Sequence, residues 1–261
     1  MKALKNFLFG GSSDNSTFPQ AGTSGINYQT WTSFKRKSQY LRGYFDFPLY
    51  EAKNDSDAKR IRSLLLLSVV EGIVSRGGQA ANFAECGCYK GHSSFAISKI
   101  LHHHDFENKF YIFDSFEGLS SPTNNDVLAE DGKTVREDLK SLLATESLKF
   151  VGDLEAYSKL MAEFPFVEIK KGWIPERFSE VEDLQFSFVH IDVDVYEPTR
   201  DSLNFFYSRL VKGGVIAIDD YSRPYWPGCD RAVDEFLSSL PKDDNYRFFE
   251  VPMGGAMIIK C

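Results

Sequence analysis

Four aspartates carry the strongest chemical signal in the chain. Asp192 and Asp194 close one apolar run, and Asp219 and Asp220 close a second. A buried strand does not tolerate carboxylates inside it, so both pairs belong at strand ends. Asp219 lies 27 residues beyond Asp192, a spacing that suits a crossover helix between parallel neighbours. Acids brought together this way repel and raise one another's pKa unless a cation sits between them. A hard divalent ion, Mg²⁺ above all, is the natural choice, with oxygen ligands at about 2.0–2.1 Å and water or substrate oxygens completing the octahedron. Asp192, Asp219 and Asp220 are therefore the candidate metal ligands. Asp194 falls beside the expected helix start, where a side-chain acceptor for free N–H groups is ordinary, and Asp220 also reads as a solvated loop acid.

The elements that must position these acids span residues 188–221. Val189 and Ile191 give the first run its β-branched character, and Val215, Ile216, Ala217 and Ile218 make the second nearly continuous, as in strands buried on both faces. Between them Pro198 fits the first turn of a helix, and Gly213-Gly214 is expected to end it. Two adjacent parallel strands would then present their acids at the edge where open α/β sheets bind ligands.

Upstream, the segment from Asn82 through Glu85, Gly87, Tyr89 and Gly91 to Ser93 and Ser94 reads as a strand, a glycine-bearing turn and a helix start. Gly87 and Gly91 let the backbone approach a ligand closely, and Ser93 and Ser94 sit where they could cap the helix. The spacing departs from the dinucleotide fingerprint, and Glu85 is an acid where a pyrophosphate would meet repulsion. A cationic or hydroxyl-rich ligand suits it better. Residues 109–114 form a second strand ending at Asp114, followed by Ser115; an acid there commonly binds ribose hydroxyls. Residues 167–171 form a third, followed by Gly172 and Trp173, and Trp173 offers either a flat surface for a nucleobase or ordinary packing.

The bulk numbers restrict the rest. With 261 residues, 43% of them apolar, the chain can bury a full core as one decorated domain. A net charge of −7 and a pI near 5.3 argue against nucleic acid or an anionic membrane as a main partner. The most apolar stretch, residues 64–70, is far shorter than the roughly 20 residues a membrane span needs, and residues 1–11 lack a signal-peptide pattern. A cytoplasmic protein is expected. Its four cysteines make no disulfide framework. Residues 1–54 read as a mobile arm, rich in Gly, Ser, Thr and Asn up to residue 26, then an aromatic and basic stretch over 28–50 that either covers a substrate mouth or packs on the sheet. Helices are expected over 55–75, 147–164 and 229–240, a polar loop over 119–140, and a terminal antiparallel hairpin from residues 246–251 and 256–259.

ECGCYKG, FYIFDSFEGLS, KKGW, HIDVDVYEPTRDSL, GGVIAIDDY and CDRAVDEF occur in this order, and over residues 55–261 the chain resembles a class I S-adenosylmethionine-dependent methyltransferase. More narrowly it resembles the macrocin and mycinamicin O-methyltransferase family, which methylates sugar hydroxyls on macrolides. The resemblance implies an α/β, Rossmann-like fold: a seven-stranded, mostly parallel sheet with helices on both faces and a C-terminal antiparallel hairpin. It also implies that Glu85, Gly87 and Gly91 line the methionine half of S-adenosylmethionine, that Asp114 holds its ribose, and that Asp192, Asp219 and Asp220 ligate Mg²⁺. Tyr89, Ser93, Ser115, Gly172 and Trp173 complete the candidate cofactor-binding set. Asp192 is the candidate proton acceptor, because it would touch both metal and substrate, and His190, inside an apolar strand, reads as structural. The expected partner is a small glycosylated acceptor, and a homo-oligomer is compatible with the sequence. Three rivals stay open: a catechol-like phenol O-methyltransferase, a nicotinamide-dependent sugar oxidoreductase, and a binding protein that has lost catalysis.

Overall fold

The apolar runs on either side of the acids are buried strands. In the computed structural model, which describes residues 42–261 apart from 52, 54, 76–80, 129–134, 224 and 252, they are β4 (Phe186–Ile191) and β5 (Leu210–Ile218). With β1 (Asn82–Cys86), β2 (Phe110–Asp114), β3 (Val167–Lys171), β6 (Tyr246–Glu250) and β7 (Ala256–Lys260), they form one seven-stranded sheet in the order β3-β2-β1-β4-β5-β7-β6. The first five strands run parallel. β7 inserts antiparallel between β5 and β6, so the terminal hairpin extends the sheet.

Alternation along each central strand feeds two cores. Phe83 and Phe188 enter one with Leu67, Phe95, Ile97 and Leu101. Ala84 and Val189 enter the other with Leu203, Phe206, Val233 and Phe236. The first core is covered by α1 (Arg42–Phe45), α2 (Asp57–Val74) and α3 (His92–His103). The short α4 (Asn124–Val127) and α5 (Glu137–Glu146) form a small satellite core through Val127, Leu139 and Leu143, and α6 (Leu154–Met161) contributes Tyr157 and Met161 to the first. The second is covered by α7 (Tyr196–Arg209) and α8 (Pro227–Ser239). From β1 the chain runs outward to β2 and β3 and returns to β4 beside β1. The β1–β4 boundary is thus a topological switch point, where such sheets open a crevice at the strands' carboxyl ends.

Several expectations shift. Gly213-Gly214 does not end the crossover helix: α7 stops at Arg209, and the glycines lie within β5. Its register against β4 jumps between the Phe186–Leu210 and Phe188–Val215 pairs, and Gly213, at φ 78, lets the strand bulge there. The expected polar loop carries α4 and the start of α5, because Thr123 and Asp126 form a capping box for the former. The helix expected over 147–164 breaks into a 3₁₀ turn (Ser147–Phe150) and α6, which Asp153 starts by accepting from the Ala156 N–H. Residues 42–50 are anchored to the first core: Tyr44 and Phe47 are buried in it, and Asp55 accepts hydrogen bonds from the Tyr44 and Tyr50 hydroxyls at 2.7 and 2.6 Å. Residues 1–41, which carry the arm and most of the aromatic and basic stretch, lie outside the described residues, as do Gly77 and Gly78, the expected stop of the helix over 55–75. Among the described residues no helix is long and apolar enough to cross a membrane.

Candidate active site

A cavity of about 390 Å³ lies at the carboxyl edge of the parallel strands. One end is walled by Tyr89, Asp114, Ser115, Gly172 and Trp173, the other by Asp192, Asp194, Asp219 and Asp220, with Gly87 also in the wall. Strand ends place each of them. Asp114 ends β2, Gly172-Trp173 follow β3, and Asp192 and Asp219 follow β4 and β5 directly.

The carboxylates of Asp192, Asp219 and Asp220 converge, with one oxygen of each within 4.8 Å of the others. Backbone pairing sets this spacing: the Asp219 N–H donates to the Ile191 carbonyl and the Asp192 N–H to the Cys86 carbonyl, at 2.9 and 2.8 Å. Gly87 is indispensable to that arrangement. At φ 81, a Cβ on it would stand 1.9 Å from the Asp192 carbonyl oxygen, so the glycine seats the backbone of the candidate metal ligand as well as bordering the cavity.

Burial, then the charges of Asp219 and Asp220, push the Asp192 carboxyl well above the usual carboxylate range. Burial, then Asp194 and Asp219, do the same to Asp220. Asp194 is also buried and pushed up, by burial first and then by Asp192 and Asp219. It is not the expected helix cap. Val195 occupies the N-cap of α7 with no side-chain bond, and Asp194 sits in the left-handed region at φ 61, its N–H donating to Asp220 Oδ2 at 3.2 Å.

Asp114 is occupied by backbone donors. Its Oδ2 accepts from the Cys88 and Tyr89 N–H groups at 2.7 and 3.2 Å, and its Oδ1 from Phe116 at 2.6 Å. It therefore ties the turn after β1 to the turn after β2 while facing the cavity. Each oxygen has two lone-pair positions, so acceptor capacity remains for a ligand hydroxyl.

Three expected cofactor residues lie elsewhere. Glu85 has no exposed surface and is absent from the cavity wall. It accepts from the Ser94 hydroxyl and pairs with His190 Nδ1 at 2.8 Å, because its place within β1 turns the side chain into the core. Burial alone would lower the His190 pKa, but the hydrogen bond and charge of Glu85, with Asp192 and Asp219 beyond, push it up to about 9. Gly91 packs on Tyr157, where a Cβ would stand 2.7 Å from the ring, and serves as the left-handed N-cap of α3. Neither Ser93 nor Ser94 caps that helix. Ser93 instead lines a smaller cavity of about 180 Å³, together with Lys59, Arg62, His190, Asp192 and Asp219.

Sequence reasoning missed the cations. Arg62, on α2, places Nη1 2.6 Å from Asp219 Oδ2, and Arg223 approaches Asp220 Oδ1 at 3.5 Å. Lys59 lines both cavities. Arg62 lies 157 positions from its partner, so no local pattern announces it. Phe150 and Trp226 also join the main cavity wall.

Known proteins share this architecture. The O-methyltransferase NovP superposes with a TM-score of 0.59 at 22% identity, over 76% of this chain and 80% of its own. An SAH-bound methyltransferase of Podospora anserina does so with a TM-score of 0.53 at 14% identity, over 89% and 94%. These likenesses concern the fold. In sequence, the demethyldecarbamoylnovobiocin O-methyltransferase of Streptomyces niveus is 27% identical over 160 residues, 61% of this chain and 59% of that protein. The 8-demethyl-8-(2,3-dimethoxy-alpha-L-rhamnosyl)-tetracenomycin-C 4'-O-methyltransferase of Streptomyces olivaceus is 27% identical over 146 residues, 56% and 54%. The chain thus spans less than two thirds of the length of these curated relatives. Residues 37–242, most of the chain, match the Macrocin-O-methyltransferase (TylF) family, and the chain belongs to it.

Proposed function

We propose that this chain transfers the methyl group of S-adenosylmethionine to a hydroxyl of a sugar, in a glycosylated natural product or a polysaccharide, with Mg²⁺ held by Asp192, Asp219 and Asp220. One observation carries the reading: the three carboxylates converge within 4.8 Å at one end of a cavity whose other end is walled by Asp114 and Trp173. The donor set suits magnesium, being all carboxylate oxygen, and the raised pKa values of Asp192 and Asp220 mark negative charge that a cation would relieve. Bound there, Mg²⁺ would supply Lewis acidity that makes an acceptor hydroxyl more acidic and fixes its direction. Family membership supports the methyl donor and the O-linked acceptor. The rhamnosyl substrate in one relative's name favours a sugar.

The chain's own residues do the positioning. Asp114, braced by three backbone N–H groups, presents its remaining acceptor capacity to the ribose. Trp173 offers a flat apolar face for the nucleobase. A sulfonium is welcome near the acid end, so the methyl group would point toward Asp192, and methyl transfer is an in-line displacement that depends chiefly on such alignment.

The acceptor hydroxyl must lose a proton. Asp192 borders the cavity, but as a metal ligand its charge would be engaged. Asp194 borders the same cavity and stands outside the converging trio, so its carboxylate is left free of the metal to take the proton. Asp194 is thus the better-placed proton acceptor, with Asp192 the alternative the sequence suggested.

The test is to incubate the protein with S-adenosylmethionine and panels of glycosides and catechols, in magnesium or in EDTA, and detect methylated product by mass spectrometry. Methylated glycoside in magnesium alone is expected. Product from catechols only would move the acceptor class. Calorimetry showing binding of NAD and none of S-adenosylmethionine would replace the reading with an oxidoreductase.

A further inference from the structure

The acid cluster already has a cation pressed against it. Arg62 Nη1 donates to Asp219 Oδ2 at 2.6 Å and to the Asp219 carbonyl oxygen at 3.3 Å. Its side chain retains 13% exposure, and its Nε is buried with no hydrogen-bond partner. Burying a guanidinium is costly unless a charge compensates it. A second cation is looser: Arg223, with 28% of its side chain exposed, stands 3.5 Å from Asp220 Oδ1 and 3.9 Å from Asp219 Oδ2. The deeper arginine is therefore fixed on the very carboxylate that a divalent ion would need.

We propose that Arg62 is the resident counter-ion of the Asp192, Asp219 and Asp220 cluster, holding the acids together in the metal-free protein and competing with a divalent cation for Asp219. This rests on the reading of those acids as a metal site. Arg62 is a positioning residue in this scheme, and its charge acts in two directions. Without a metal it offsets repulsion among carboxylates gathered at one edge. With a metal it places a fixed positive charge beside the incoming one, and like charges a few ångströms apart oppose each other even through a well-screened protein medium. A purely structural ion pair behaves differently: losing it would loosen the site and weaken metal binding and stability together.

The two roles separate by sign in the full chain without cofactor, with magnesium binding followed by calorimetry and thermal unfolding followed in EDTA. Arg62→Gln is expected to lower the Tm in EDTA while tightening the magnesium Kd about tenfold, so that the rise in Tm on adding magnesium grows. A lowered Tm with an unchanged or weaker Kd would assign Arg62 to structure alone and overturn the proposal. Should Arg62→Gln fail to fold, Arg62→Lys carries the test. A lysine keeps the charge, but its ammonium is more strongly hydrated and held less rigidly than the guanidinium, so magnesium should bind about two- to threefold tighter, and a Kd equal to or weaker than that of the unchanged protein overturns the proposal. If neither protein binds magnesium, the metal reading itself falls; if both bind it equally, only the role of Arg62 does.

Discussion

Two sets of aspartates close parallel strands at the same edge of this sheet, and they live under opposite conditions. Asp114, at the tip of β2, accepts three backbone N–H groups. Asp192, Asp219 and Asp220, at the tips of β4 and β5, crowd one another, and what meets them is chiefly side-chain charge, Arg62 on Asp219 and Arg223 near Asp220, with one backbone N–H, that of Asp194, on Asp220. Turn geometry explains the difference. The turns after β1 and β2 aim their amides inward at one carboxylate, as anion-binding turns do. The chain after β4 instead passes through Asp194 at positive φ and brings acid beside acid. A carboxylate surrounded by donors organises a loop; carboxylates surrounded by each other attract a cation.

Breaking the starved end should have the largest effect. Asp219→Ala is expected to abolish magnesium binding in calorimetry and to cut turnover by several kcal/mol of transition-state stabilisation, on the order of a thousandfold, while leaving the S-adenosylmethionine Kd nearly unchanged. Equal loss of cofactor affinity would erase the division between the two ends.

Breaking the satisfied end should do the reverse. Asp114→Ala leaves the N–H groups of Cys88, Tyr89 and Phe116 without their acceptor, at a cost of about 1–3 kcal/mol for each buried group. Cofactor affinity should fall by about tenfold to a hundredfold and thermal stability should drop, with magnesium binding retained. Retained cofactor affinity would limit Asp114 to bracing the loops.

The third test lies beneath both ends, in the Glu85–His190 pair. Because the folded pKa of His190 stands at about 9 against an ordinary 6.5, its contribution to stability is fully present below pH 6.5 and is lost as pH rises toward 9. The unfolding free energy should therefore decline across that window, by roughly 2–4 kcal/mol, and the decline should flatten in His190→Gln. An unchanged slope in denaturant titrations would show that the pair does not hold its proton. The smallest expected effect is at Trp173→Ala, where loss of a stacking face worth about 0.5–1.5 kcal/mol should weaken cofactor binding a few-fold without touching the metal.

The sheet and the acid cluster were legible for a common reason. Strands buried on both faces leave near-continuous apolar runs, as over Val215–Ile218, and a carboxylate at the end of such a run marks its exit from the core. Runs joined by a crossover helix pair as parallel strands with a strong right-handed preference and are commonly neighbours, so the meeting of Asp192 with Asp219 and Asp220 followed from local pattern. Glu85 lies within β1 and not at its end, and an acid inside a buried strand needs a partner. His190 pairs with it across the β1–β4 ladder.

The sequence by itself determined which strands would be buried, their parallel order around the crossover and the acids at their tips, because periodicity and charge placement act over a few residues. Only the tertiary structure decided which of those acids would be donor-rich and which donor-poor, that Glu85 would be spent on His190, that Gly87 would be filled by the Asp192 backbone, and that Arg62 would reach Asp219 from 157 residues away. Electrostatic environment is set by whichever groups folding brings within a few ångströms, and separation along the chain carries no record of that.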